Sequence, residues 1–164
     1  MGNFVIGGWS QNVKDLPPSQ FSYTMYGMIT NLTGLTSGTP ESPGWSPVKT
    51  EAPAVSGSVL WTYGGKGCTP TSMPADQTDI TAIVNAAKNN GWNGVDFDDE
   101  CSMNITNIAK TMEKLKTSSK ETSYTFIAGW AYNNPSSSSS GQAINDAVKQ
   151  IAESNSCDRF ILMC

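Results

Sequence analysis

The sequence predicts an α/β fold on a parallel sheet, a (β/α)8 TIM-barrel type ending after about six strands, and three observations carry that reading. Short apolar runs alternate with amphipathic helical patterns, the runs are nearly continuous in apolar residues, and the chain ends inside the last of them. Parallel strands joined by helical crossovers are covered on both faces, which is why their apolar residues run on instead of alternating with polar ones.

The runs come in order. Phe4–Trp9 and Phe21–Leu32 are the first two candidate strands, each rich in β-branched or aromatic residues. Residues Thr33–Gly57 then break the rhythm with Pro40, Pro43, Pro47 and Pro53, the composition of a long surface loop. The third strand is Ser58–Tyr63, followed by a helix from about Thr78 to Asn90 that carries Ile80, Ile83, Val84 and Ala87 and stops at Gly91. Gly94–Phe97 is the fourth strand, and Ile105, Ile108, Met112 and Leu115 line one face of the helix after it. The fifth strand is Tyr124–Ala131, with Ser136–Ser140 expected as a flexible loop at the end of the sheet where barrel active sites lie. A helix with Ile144, Val148 and Ile151 leads to the sixth strand, Arg159–Cys164. No internal repeat and no boundary divides the chain, so residues 1–164 are read as one domain. A complete barrel needs eight strands and about 250 residues, so an incomplete barrel is expected.

Composition narrows the function. A formal charge of -4 without any run of Lys or Arg removes the electrostatic footprint of nucleic-acid or anionic-membrane binding, and a neutral ligand suits it better. There is no histidine, which excludes Ser-His and Cys-His catalytic pairs and leaves acid-base chemistry to carboxylates. Cys68, Cys101, Cys157 and Cys164 lack CxxC spacing, so neither a metal nor any other cofactor is expected. Their even number, with the sequons at Asn31 and Asn104, points to a secreted or extracellular protein, although no signal peptide is visible at Met1–Ile6. No apolar run approaches the roughly 20 residues that cross a bilayer.

The most informative stretch is Asn93-Gly94-Val95-Asp96-Phe97-Asp98-Asp99-Glu100. Side chains alternate along a strand, so Asp96, Asp98 and Glu100 share one face, each roughly 7 Å from the next. Like charges held together in a barrel interior cost stability, and function is the usual reason to keep them. A solvent-facing acidic strand end or an oxygen-ligand cation site is the plainer alternative, but Val95 and Phe97 mark a buried strand and the spacing is not that of an EF-hand.

From Gly94 onward this stretch resembles the DGxDxDxE motif of glycoside hydrolase family 18, with Asn93 in place of the first Asp. Thr62-Tyr63-Gly64-Gly65 is similar to the family's SxGG signature on the third strand, and Phe160–Cys164 resembles its Met-x-Tyr strand, stopping just before the Tyr. The resemblance implies a retaining glycosidase acting on β-1,4-linked N-acetylglucosamine, in chitin or in the N-glycan core, through the substrate's own acetamido group. It makes Glu100 the general acid and base, Asp98 its substrate-orienting helper and Asp96 the proton partner of Asp98. Trp9, Tyr26, Trp61 and Trp130 offer aromatic faces that suit the apolar face of a pyranose, and of these Trp9 and Trp130 lie near strand ends; with Met163 and Gly64 they are the expected substrate-binding positions. Tyr26 and Trp61 fit core packing equally well. The competing reading is a chitinase-like protein that binds chitin or glycan without turnover.

Overall fold

A computed structural model describes residues 5–12, 14–29, 55–66, 68, 74–127 and 139–163, the first four residues of the last range by backbone alone. The strands are β1 (Gly7–Ser10), β2 (Tyr23–Ile29), β3 (Ser58–Gly64), β4 (Gly94–Asp99), β5 (Glu121–Ile127) and β6 (Arg159–Met163). The helices are α1 (Gln77–Asn89) between β3 and β4, α2 (Ile105–Thr117) between β4 and β5, and α3 (Ser139–Glu153) between β5 and β6. All six strands are parallel, in the order β1-β2-β3-β4-β5-β6, and curl into a half-barrel. No described helix is long and apolar enough to cross a membrane.

Local chemistry fixes the helix ends. The Asp76 carboxylate accepts from the amides of Thr78 and Asp79 to start α1, and Lys88 in its last turn meets the negative end of the helix dipole. The backbone then turns at Gly91, whose φ of 69° suits glycine. Asn104 caps α2 by accepting from the Asn107 amide, and Lys114 and Lys116 occupy its last turn. The apolar faces predicted for both helices are the buried ones: Ile80, Ile83, Val84 and Ala87 on α1, Ile108, Met112 and Leu115 on α2.

These faces pack on the outer side of the sheet. Val59, Trp61 and Tyr63 of β3, Val95 and Phe97 of β4, and Tyr124 and Phe126 of β5 join them in one cluster with Trp92. Trp61 sits between Trp92, at 5.6 Å between ring centres, and Tyr26, at 6.2 Å, and all three are fully buried. Each such ring removes enough apolar surface from water to contribute roughly 1.5–3 kcal/mol. Tyr26 and Trp61 are therefore core residues and not sugar platforms.

The inner side is polar. At its base Arg159 pairs with Glu121, which also accepts from the Ser58 hydroxyl, and the guanidinium lies 4.5 Å from the centre of the Tyr23 ring. One layer up, Thr62, Asp96 and Ser123 lie side by side in the strand register. That polar lining explains where the sequence-based limits missed. β5 begins at Glu121, three residues before the predicted Tyr124, because Glu121, Thr122 and Ser123 pair as strand while carrying no apolar signal. β1 begins at Gly7, and Val5 and Ile6, expected in it, are exposed. The loop predicted over Ser136–Ser140 is overtaken by α3, which already includes Ser139 and Ser140. Most of the predicted loop Thr33–Gly57 and residues 128–131 of the predicted fifth strand lie outside the described residues.

Candidate active site

β4 divides its side chains between two environments. Val95 and Phe97 are fully buried among the helices, while Asp96 and Asp98 face the half-barrel interior at 1% and 6% exposure. Glu100 lies one residue beyond the strand, at a bend, and is exposed. The expectation of three carboxylates on one strand is corrected to two strand residues and one on the lip. The physical reason is that pairing with β5 runs only to Asp99 opposite Phe126, after which the chain turns toward α2.

Asp96 is held by three hydroxyls. Thr62 Oγ1 donates to Oδ2 at 3.0 Å, and Ser123 Oγ and Thr125 Oγ1 donate to Oδ1 at 2.6 and 2.8 Å. Burial raises its pKa, while those donors and the charge of Arg159 act in the opposite direction. Asp98 has no such relief: burial, then the neighbouring carboxylates of Asp96, Glu100 and Asp99, push its pKa up to about 8. Its Oδ1 is buried without a hydrogen-bond partner among the described residues. Burial pushes both carboxylates up, so the two titrate as a coupled pair.

Asp96, Asp98 and Glu100 open into one cavity of about 420 Å3, together with Trp9, Met163 and Thr125. Trp9 stands at the C-terminal end of β1 with 43% of its surface exposed, and Met163 ends β6. Two of the predicted binding residues thus face the carboxylates across the cavity. Gln11, Met25, Met28 and Lys66 also line it and were missed. β2 is apolar on both faces, so no alternation marks Met25 and Met28 as inward, and Gln11 and Lys66 follow strand ends without a motif of their own. Trp130 lies outside the described residues.

Gly64 supports the site from behind. It pairs with Asp98 in the register, has a φ of 115°, and a Cβ built on it would run into the Asp98 carbonyl oxygen. The next glycine, Gly65, donates its amide to that same carbonyl at 2.8 Å. Gly64→Ala should therefore cost about 2 kcal/mol or more, because a backbone atom cannot swing aside and the φ is unfavourable for alanine. Urea unfolding checks it, and a loss below about 0.5 kcal/mol would contradict this packing.

A second hollow, about 500 Å3, lies outside the sheet between α2, α3 and β5, with Glu100 on its rim. Its other carboxylate, Asp99, is already engaged by the Tyr124 hydroxyl at 2.7 Å and the Met103 amide at 3.0 Å. Among the described residues no group of three or more His, Cys, Asp or Glu is disposed to hold a metal ion, and both Asp96 oxygens are occupied by hydroxyl donors. The Cys157 thiol, half-buried and bonded to the Arg159 carbonyl at 3.0 Å, is pushed up to about 11 by burial and is no nucleophile.

No protein-family model matches the chain, and neither does any curated protein. Solved structures do. A mutant class V chitinase from Nicotiana tobaccum in complex with NAG4 superposes with a TM-score of 0.60 at 12% identity, over 98% of this chain and 52% of that one. A mutant GH18 chitinase from Cycas revoluta in complex with (GlcNAc)4 gives 0.55 at 18% identity, over 96% and 54%. The chain has a GH18 chitinase-like fold. A putative Chitinase A from Streptomyces coelicolor agrees, with a TM-score of 0.53 at 15% identity over 90% of this chain and 57% of that one. The chain thus spans slightly more than half the length of these chitinases. Within this chitinase-like fold both departures from the family motifs keep a working contact. Thr62 supplies the hydroxyl expected of Ser, and Asn93 Oδ1 accepts from the Val59 amide at 2.8 Å, a bond an Asp would also make.

Proposed function

We propose that this chain carries the acid-base machinery of a glycoside hydrolase that cleaves β-1,4-linked N-acetylglucosamine, in chitin or the N-glycan core, with retention and with the substrate's acetamido oxygen as nucleophile. The observation that carries the reading is the ascent of Asp96, Asp98 and Glu100 from a buried, hydroxyl-bound carboxylate to an exposed one on the wall of a single cavity. Glu100, free to meet solvent and substrate, protonates the glycosidic oxygen and then activates water. Asp98, protonated near neutral pH, donates to the acetamido group and shares its proton with Asp96 as charge develops. Trp9 offers a ring face to a pyranose and Met163 an apolar wall. The Cys68–Cys101 disulfide supports a secretory location.

The test is turnover. The protein carrying this chain should release reducing sugar from chitotetraose or trim a high-mannose glycoprotein, with the β-anomer as the first product seen by proton NMR. Binding of both substrates without product would favour the non-catalytic reading, and initial release of the α-anomer would exclude the acetamido route.

A further inference from the structure

Glu100 is exposed at a bend, while the residues on either side of it are both tied down. Asp99, just before it, turns away from the cavity, and its carboxylate accepts from the Tyr124 hydroxyl on β5 and from the Met103 amide, at 2.7 and 3.0 Å. Cys101, just after it, is bonded to Cys68 of the loop between β3 and α1, with 5.8 Å between their Cα atoms. That second loop is itself anchored to the acidic strand: the Cys68 amide donates to the Gly65 carbonyl at 3.0 Å, and the Gly65 amide donates to the Asp98 carbonyl at 2.8 Å. Beyond the disulfide the chain passes Ser102 in a left-handed conformation with φ of 59°, buries Met103 and enters α2 at the Asn104 cap.

We infer that Asp99 with Tyr124 on one side, and the Cys68–Cys101 disulfide on the other, are positioning residues that fix Glu100 over the cavity. The inference rests on the proposed role of Glu100 and adds how that role is maintained. A short bend with an exposed side chain would otherwise sample many placements, and an acid displaced by about 1 Å from the oxygen it protonates loses roughly 100-fold in rate. The two ties suit a loop that works at different pH values. A disulfide carries no titrating group. The Tyr124 hydroxyl is pushed well above its ordinary pKa, first by burial and then by the charge of Asp99, so it remains a donor. They also explain Asp99, the one carboxylate of the cluster that the reaction does not use.

Two variants test this: Tyr124→Phe, which keeps the core ring and deletes only the hydroxyl, and the double variant Cys68→Ala/Cys101→Ala, which leaves no unpaired thiol at the site. Each should lower kcat by roughly 10- to 100-fold while KM stays within about twofold, because Trp9 and Met163 are untouched. Amide hydrogen exchange of residues 100–103 should quicken in both. An unchanged kcat in both variants, in a protein that Glu100→Gln inactivates, overturns the positioning role and leaves the hydrolase reading intact. Unchanged exchange in both overturns it whether or not the protein has any turnover. Quickened exchange in a protein without turnover retains the tether and removes the hydrolase reading.

Discussion

Glu100→Gln should reduce hydrolysis of chitotetraose by roughly 100- to 10,000-fold, the usual contribution of a positioned general acid. The substitution keeps the shape of the side chain and removes only its proton transfer. Because Glu100 is exposed, stability should stay within about 0.5 kcal/mol and substrate affinity should hold. The decisive comparison is between leaving groups. A nitrophenyl glycoside departs without protonation, so its first step should suffer far less than that of a natural oligosaccharide. Equal losses on both substrates would place Glu100 in binding rather than acid catalysis, and undiminished turnover would remove it from the site.

Asp98→Asn should abolish turnover and, at the same time, weaken the protein's loss of stability in alkali. Asp98 titrates near 3.9 in an unfolded chain and at about 8 in the fold. Between those values the folded state binds a proton that the unfolded state has released, so wild-type stability falls as pH rises from about 4 to about 8. Burial of Asp96 acts in the same direction. Asparagine has no proton to lose, so the melting temperature of Asp98→Asn should pull progressively above that of the wild type across this window. The gain should be on the order of a few kcal/mol at its alkaline end. Parallel melting curves for the two proteins would show that Asp98 ionises freely. The inactivity follows separately, because an amide cannot exchange a proton with Asp96 as the acetamido group attacks.

How much of this was legible in the sequence depended on whether a residue's role left a periodic trace. The helices α1 and α2 were readable because their apolar faces recur every three or four residues and their ends carry caps. The acidic residues of β4 were readable because charge in a buried strand is anomalous. The start of β5 was not, since the half-barrel interior there is polar and Glu121, Thr122 and Ser123 look like loop. Lys66 and Gln11 reach the cavity only through the closeness of strand ends that are far apart in the chain, a property of the curl of the sheet and not of local composition. The three-hydroxyl cradle of Asp96 was invisible for the same reason: Thr62, Ser123 and Thr125 come from two flanking strands, and nothing about a lone Ser or Thr announces its neighbour.

The split character of β4 has an evolutionary consequence. Substitutions at Val95 or Phe97 are screened by whether the protein survives folding and proteolysis, whereas under the proposed function those at Asp96 or Asp98 would be screened chiefly by whether substrate is cleaved. Replacing Asp98, whose buried Oδ1 has no hydrogen-bond partner among the described residues, by a neutral residue even relieves the fold of a cost. Selection for abundance and selection for chemistry therefore act on alternate letters of one short word, and a lineage that no longer needs cleavage can lose it without losing the protein. Sugar-binding proteins without turnover are the products such drift would leave behind, each still carrying the outward-facing half of the word.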